Sequence, residues 1–150
     1  MSNPFVGECW PGKTYWPDFT THNSSKYWIK QHQEFHDQIA FDGVWNDMNE
    51  ISNMVDGAAS PYKGCYNNSF NNPPYNPLID DVFYRLTVCP DAVQHAGIHY
   101  SVHNTYGHTQ VRASAKAMAA LFPNKRPYGL SRSTFPGTGR YAAHWTGDIT

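Results

Sequence analysis

No apolar run in this chain of 150 residues approaches the roughly 20 residues that a helical bilayer crossing needs, so a transmembrane helix within it is excluded. Runs of like charge are missing too. With 11 Lys and Arg against 12 Asp and Glu, the formal charge is −1; nothing here would track a phosphate backbone, and nucleic acid is not an expected partner. The N-terminus, Met-Ser-Asn-Pro-Phe-Val-Gly, lacks a basic region followed by an apolar one and does not read as a signal peptide. Cysteine is scarce, and three of them leave one unpaired at best. Cys65 and Cys89 bracket a loop-like stretch and can bridge it, whereas Cys9 lies in another segment and reads as a small buried thiol. The histidines lack ligand spacing; His103 and His144 read as hydrogen-bonding groups of a cleft, with no metal and no cofactor expected. There is no internal repeat.

Aromatic residues, by contrast, make up 15% of the chain, with 5 Trp and 10 Tyr. That supply suits either core packing or a cleft that stacks flat rings. Asn23-Ser24-Ser25 and Asn67-Asn68-Ser69 fit the N-glycosylation acceptor pattern, which points Asn23 and Asn67 toward a secretory context.

Residues 1–23 carry Pro4, Gly7, Pro11, Gly12 and Pro17 between aromatics, so an irregular approach with at most one short strand is expected. Ser24 or Ser25 can cap a helix over Lys26 to Ile39, with Tyr27/Trp28, His32, Phe35 and Ile39 on its packed face. Phe41 to Asp47 reads as a short strand. From Ile51 to about Val102 the density of Asn and Pro resists regular structure and suggests a long loop excursion. A second helix is expected from about Tyr106 to Phe122, striped by Val111, Ala115, Met118 and Phe122, and stopped by Pro123 and Asn124. Pro127 to Arg132 reads as a buried strand, and after the turn at 136–139 another runs from near Tyr141 to Asp148. Helix, strand, excursion, helix, strand, turn, strand fits an α/β class, as part of a β/α barrel. A complete eight-stranded barrel takes about 250 residues; this chain supplies an incomplete portion of one, a partial barrel domain over residues 1–150 with the excursion at about 51–102.

In this layout Asp47 and Asp148 both end predicted strands, the face of a β/α barrel where catalytic groups gather. Position alone does not assign them, since aspartate is common in caps and turns. Two carboxylates in different environments can divide nucleophilic and acid/base work, one kept charged by nearby cations and donors, the other kept protonated.

Trp45-Asn46-Asp47-Met48-Asn49-Glu50 resembles the W-x-D-M-N-E signature of glycoside hydrolase family 31, whose members include lysosomal and intestinal α-glucosidases. His144-Trp145-Thr146-Gly147-Asp148 resembles that family's H-W-x-G-D segment, and Arg132-Ser133-Thr134-Phe135 its R-S-x-F segment. Trp10-Pro11-Gly12 with Trp16-Pro17-Asp18-Phe19 resembles the upstream W-P-G…P-D-F approach, and His103-Asn104-Thr105-Tyr106-Gly107 the H-N-x-Y-G element. Five elements in the family's order are far more specific than one short motif. The resemblance implies a (β/α)8 TIM barrel and retaining hydrolysis of terminal α-linked glucose from α-glucosides such as maltose-type oligosaccharides. It implies Asp47 as nucleophile, Asp148 as general acid/base, Arg132 as a sugar-binding residue, and Trp10, Trp45, Met48 and Trp145 as walls of the sugar site. Glu50 is implied as a supporting residue, with Trp28 left to core packing.

Asn46 stands where many members have Ile or Leu and resembles the glucosidase II branch, and Ile51 replaces a frequent Pro. The stretch Cys65…Asn72-Pro73-Pro74-Tyr75…Cys89 resembles instead the lysosomal and intestinal maltase-like members, in which equivalent cysteines are bridged; it implies a lysosomal or extracellular parent protein. Two other readings stay open at this level: a non-catalytic carbohydrate-binding piece, and an α-transglucosylase using the same carboxylates.

Overall fold

The computed structural model describes residues 3–77 and 81–148. The chain divides into two compact units, residues 1–17 with 51–103, and residues 18–50 with 104–150.

In the second unit, α1 (Ser24–His36) is followed by β3 (Gly43–Asn46), α3 (Tyr106–Leu121), β6 (Tyr128–Ser131) and β7 (Ala143–His144). The three strands form one parallel sheet in the order β3-β6-β7. Gly43 to Asn46 pair residue by residue with Tyr128 to Ser131, and Leu130 and Ser131 pair with Ala143 and His144. Parallel neighbours need a crossover, and α3 provides the one between β3 and β6, packing on both strands and against α1. This is the expected alternation. Among the described residues it supplies three barrel strands and no closed ring.

The core lies between α1, α3 and the sheet. Phe19, Tyr106, Val111, Ala113, Ala117 and Met118 are buried, and removing a side chain the size of Phe19 or Met118 from water stabilises by about 1.5–3 kcal/mol. Phe19 meets Trp28 and Tyr106 edge-on at 5.1 and 5.5 Å, the arrangement favoured by ring quadrupoles. Trp28 is thus a packing residue, as expected.

Two helix expectations change. Asn23, not a serine, precedes α1, and it makes no side-chain cap; Ser24 is already helical and turns its hydroxyl back to the carbonyls of Thr21 and Phe19. The helix ends at His36, and just beyond it Gln38 N–H and Ile39 N–H share the Phe35 carbonyl, the first through a tightened bond three residues back. The inward stripe is Ser24, Trp28, His32 and His36, every fourth residue, while Phe35 (54%) and Ile39 (60%) stay exposed. Apolar character alone put those two on the wrong face. Burial also keeps the His32 imidazole below its usual pKa despite its contact with the Trp28 carbonyl.

β7 is shorter than the predicted strand. Tyr141 closes a 3-10 turn at Thr138–Arg140, and Gly147 takes a left-handed φ of +91° that ends extended structure before Asp148. Asp148 therefore follows the strand at a distance of four residues, whereas Asp47 directly follows β3.

The first unit departs further from expectation. Residues 1–23 hold two short strands, β1 (Gly7–Cys9) and β2 (Gly12–Thr14), paired as a hairpin. A φ of +101° at Gly12 lets the chain reverse over Trp10-Pro11. The 51–102 stretch contains the hairpin β4 (Val93–Gln94) with β5 (Gly97–Ile98) and one helical turn, α2 (His99–Val102). Elsewhere its asparagines do the work that regular structure would do. Asn53 Nδ2 donates to the carbonyls of Val55 and Gly57 while its Oδ1 accepts from Glu8 N–H at 2.8 Å. Asn71, fully buried, donates to Tyr66 O and accepts from Asp91 N–H. An amide that satisfies both backbone donors and acceptors lets irregular chain be buried without orphaned polar groups. Cys65 and Cys89 are bridged. Cys9 is free, but half-buried and not in a core.

Candidate active site

At the end of β3, Asp47 starts a turn whose next residue, Met48, has a left-handed φ of +58°. For a side chain with a Cβ this costs about 1–2 kcal/mol, and the surroundings hold it in place. Met48 N–H donates to Asp47 Oδ1 at 2.9 Å. Asn49, buried, donates to Ser131 Oγ at 2.9 Å and accepts from Ser133 N–H at 2.9 Å, while Ser131 Oγ donates to Ser133 O. This lock fixes the Asp47–Glu50 turn to the end of β6.

Beneath it, Trp28 Nε1 donates to Ser114 Oγ, which donates to Asn46 Oδ1 at 2.8 Å. Side chains alternate along a strand, so Asn46 turning toward α3 sends Trp45 to the opposite face. There Trp45, 60% exposed, meets Trp145 edge-on with ring centroids 5.2 Å apart.

The lock also sets the charges. Arg132, next after Ser131, gives a bidentate fork to Glu50, with Nε and Nη2 each 2.8 Å from a carboxylate oxygen. Its Nη1 stands 3.6 Å from Asp47 Oδ1. Hydrogen bonding to Glu50, with added attraction from Asp47 and Asp148, holds the guanidinium above its ordinary pKa. One cation thus serves three carboxylates. His144 contacts Ser131 O through Nδ1 at 3.2 Å.

Asp47, Met48, Glu50, Arg132, Trp45, Trp145, His144 and Asp148 therefore all belong to the second unit, at or just beyond the C-terminal ends of β3, β6 and β7. Trp10 and His103 belong to the first. Trp10 is 69% exposed in the turn of the β1–β2 hairpin. His103 is exposed, with Nδ1 on the Tyr100 carbonyl and its ring edge-on to His99. His99 itself is buried, and burial with the nearby His103 brings its pKa down to about 4. Asn23 and Asn67 are exposed. No helix among the described residues is long and apolar enough to cross a membrane, and among them no group of three or more His, Cys, Asp and Glu could hold a metal ion.

Sequence reasoning missed Asn49, Ser114, Ser131 and Ser133. Ser114 interrupts an apolar helix stripe three residues after Val111, and a polar residue there is the signal that a buried partner waits. Gly107 belongs to the same region: a Cβ on it would lie 2.6 Å from the Cβ and Oγ of Ser133. The glycine of the H-N-T-Y-G element thus permits close approach of α3 to the lock. Gly107→Ala is expected to destabilise by about 1–3 kcal/mol through overpacking, measured as a lowered denaturation midpoint of the enzyme containing this chain.

A model of the Glycosyl hydrolases family 31 TIM-barrel domain matches residues 1–150. Intestinal sucrase-isomaltase from Oryctolagus cuniculus is 47% identical over 150 residues, covering 99% of this chain and 8% of that protein. Lysosomal alpha-glucosidase from Mus musculus is 45% identical over 147 residues, covering 97% of this chain and 15% of that one. A glucosidase II alpha subunit crystal structure superposes over 98% of this chain and 14% of its own with a TM-score of 0.73 at 27% identity. The chain thus spans a small part of the relatives it matches.

Proposed function

Because the chain belongs to glycosyl hydrolase family 31, we propose that it carries the catalytic centre of a retaining α-glucosidase that removes terminal α-linked glucose from maltose-type oligosaccharides. The observation that best supports this is the grouping at one strand-end face of Asp47, beside the Arg132 cation, and the Trp45–Trp145 corner. A carboxylate beside a cation with aromatic walls suits attack on a sugar ring.

In the first step Asp47 attacks the anomeric carbon while the bond to the leaving oxygen breaks and Asp148 gives that oxygen its proton. A glycosyl ester on Asp47 results. In the second, Asp148 takes a proton from water, the water oxygen attacks the anomeric carbon, and Asp47 leaves as carboxylate. The reaction calls for the two carboxyl groups to close to about 5–5.5 Å around the bound sugar, not the roughly 6.5–9.5 Å that admits a water for inversion. Arg132 binds the nonreducing glucose beside Asp47, and Trp45, Met48 and Trp145 wall its site. The Cys65–Cys89 bridge supports an oxidising, secretory location, lysosomal or extracellular.

The test is stereochemical. Proton NMR of the glucose first released from an aryl α-glucoside by the full-length enzyme is expected to show the α-anomer before mutarotation; β-glucose as the initial anomer would refute the double displacement.

A further inference from the structure

The Arg132 guanidinium is a planar fork with five N–H donors. Glu50 occupies the edge formed by Nε and Nη2 at 2.8 Å each, and the remaining edge points Nη1 at Asp47 from 3.6 Å, too far for a hydrogen bond. Both partners have fixed roots. Glu50 follows Asn49 and Arg132 follows Ser131, and those two are buried and bonded to each other. Only side-chain rotation is left to Arg132, and Glu50 is what restrains it.

We propose that Glu50 is a positioning residue that holds the Arg132 fork off Asp47, so that the nucleophile meets the sugar as an open carboxylate under a neighbouring positive charge. Without that restraint the fork can turn and close on Asp47 as a bidentate pair. Such pairs are short and strong. An anion so held stays ionised more readily, and it attacks more slowly, because the donors must release it as charge moves to carbon. Glu50 also offsets the Arg132 charge felt at Asp47, so losing its charge acts in the same direction. Among the described residues of the second unit, Arg132, Glu50, Asp148 and His144 are the charged or titratable groups that accompany Asp47 at these strand ends, and of the carboxylates only Glu50 takes the fork in a bidentate grip.

This role rests on Asp47 being the nucleophile, so the wild-type product configuration decides that premise separately. In the full-length enzyme, Glu50→Gln removes the charge while keeping one acceptor. Expected are a loss of kcat on the order of 10–100-fold and a fall of about one pH unit in the acidic limb of kcat/KM, the limb that reports ionisation of the free enzyme's nucleophile. Glu50→Asp keeps the charge and should return that limb to its wild-type position. A residue that merely supports the fold would lower the melting temperature and the titrated fraction of active sites while leaving the limb where it was. That result with Glu50→Gln, or a limb displaced equally in Glu50→Asp, would overturn the proposal.

Discussion

Asp47→Asn in the full-length enzyme is expected to reduce turnover of maltose on the order of 10⁴-fold or more, the scale seen when a covalent nucleophile is removed. The amide has nearly the shape of the carboxylate, and Met48 N–H and the turn can still be satisfied through its oxygen. What vanishes is the charge that forms the glycosyl ester. Because Arg132 would lose one of its three carboxylates and keep the Glu50 fork, the site should remain assembled, and binding of a glucose-like inhibitor should change far less than turnover. A variant that lost inhibitor binding and turnover together would place Asp47 in sugar binding instead of bond formation.

Asp148→Asn should behave differently, because its two tasks are unequal in their dependence on substrate. Protonating a sugar leaving group is indispensable at neutral or mildly acidic pH, and general acid catalysis is worth roughly 10²–10⁴-fold. A nitrophenyl group leaves without a proton. With aryl α-glucosides the first step should therefore survive, and the ester on Asp47 should accumulate for want of a base to activate water. Pre-steady-state release of nitrophenol as a burst, followed by a slow phase that azide accelerates, is the expected record. Equal losses on maltose and on the aryl glucoside would remove the division of labour.

The elements of the second unit were legible because their signals are local. Ala-rich sequence from Tyr106 onward and the stop at Pro123 fix α3, and short apolar runs ending in polar residues mark β3 and β6. Face assignment in α1 failed where hydrophobicity and geometry disagree: Phe35 and Ile39 outrank Ser24 and His36 in apolar character, yet the stripe of every fourth residue turns the latter inward. The strand expected from Tyr141 to Asp148 shortens to Ala143–His144 because the 3-10 turn before it and the left-handed Gly147 after it are backbone features that residue type alone does not announce. In the first unit, asparagine density read as irregularity, which is correct for the backbone, but it carries no hint that Asn53 and Asn71 would be internal anchors, since their partners are backbone groups remote in sequence.

The site was legible at a different level. Asp47, Glu50 and Arg132 came from motifs, and the bidentate fork that joins two of them is a fact of three dimensions. So is the Asn49–Ser131–Ser133 lock, which links residues more than 80 positions apart. Asn46 illustrates the limit most clearly. As a departure from Ile or Leu it suggests only a branch of the family; in the fold it closes a polar chain from Trp28 through Ser114 beneath the Asp47 turn. Buried polar groups that are fully paired specify a single arrangement, and here they do so one residue from Asp47.

The account stands or falls on the identity of the attacking oxygen. A 2-deoxy-2-fluoro-α-glucosyl fluoride of suitable ring configuration slows release of the ester, so incubation with the full-length enzyme, proteolysis and tandem mass spectrometry will locate the sugar. Attachment to Asp47 is the predicted outcome. Sugar attached to Asp148 or Glu50 instead, in enzyme fully inactivated by the reagent, would contradict it.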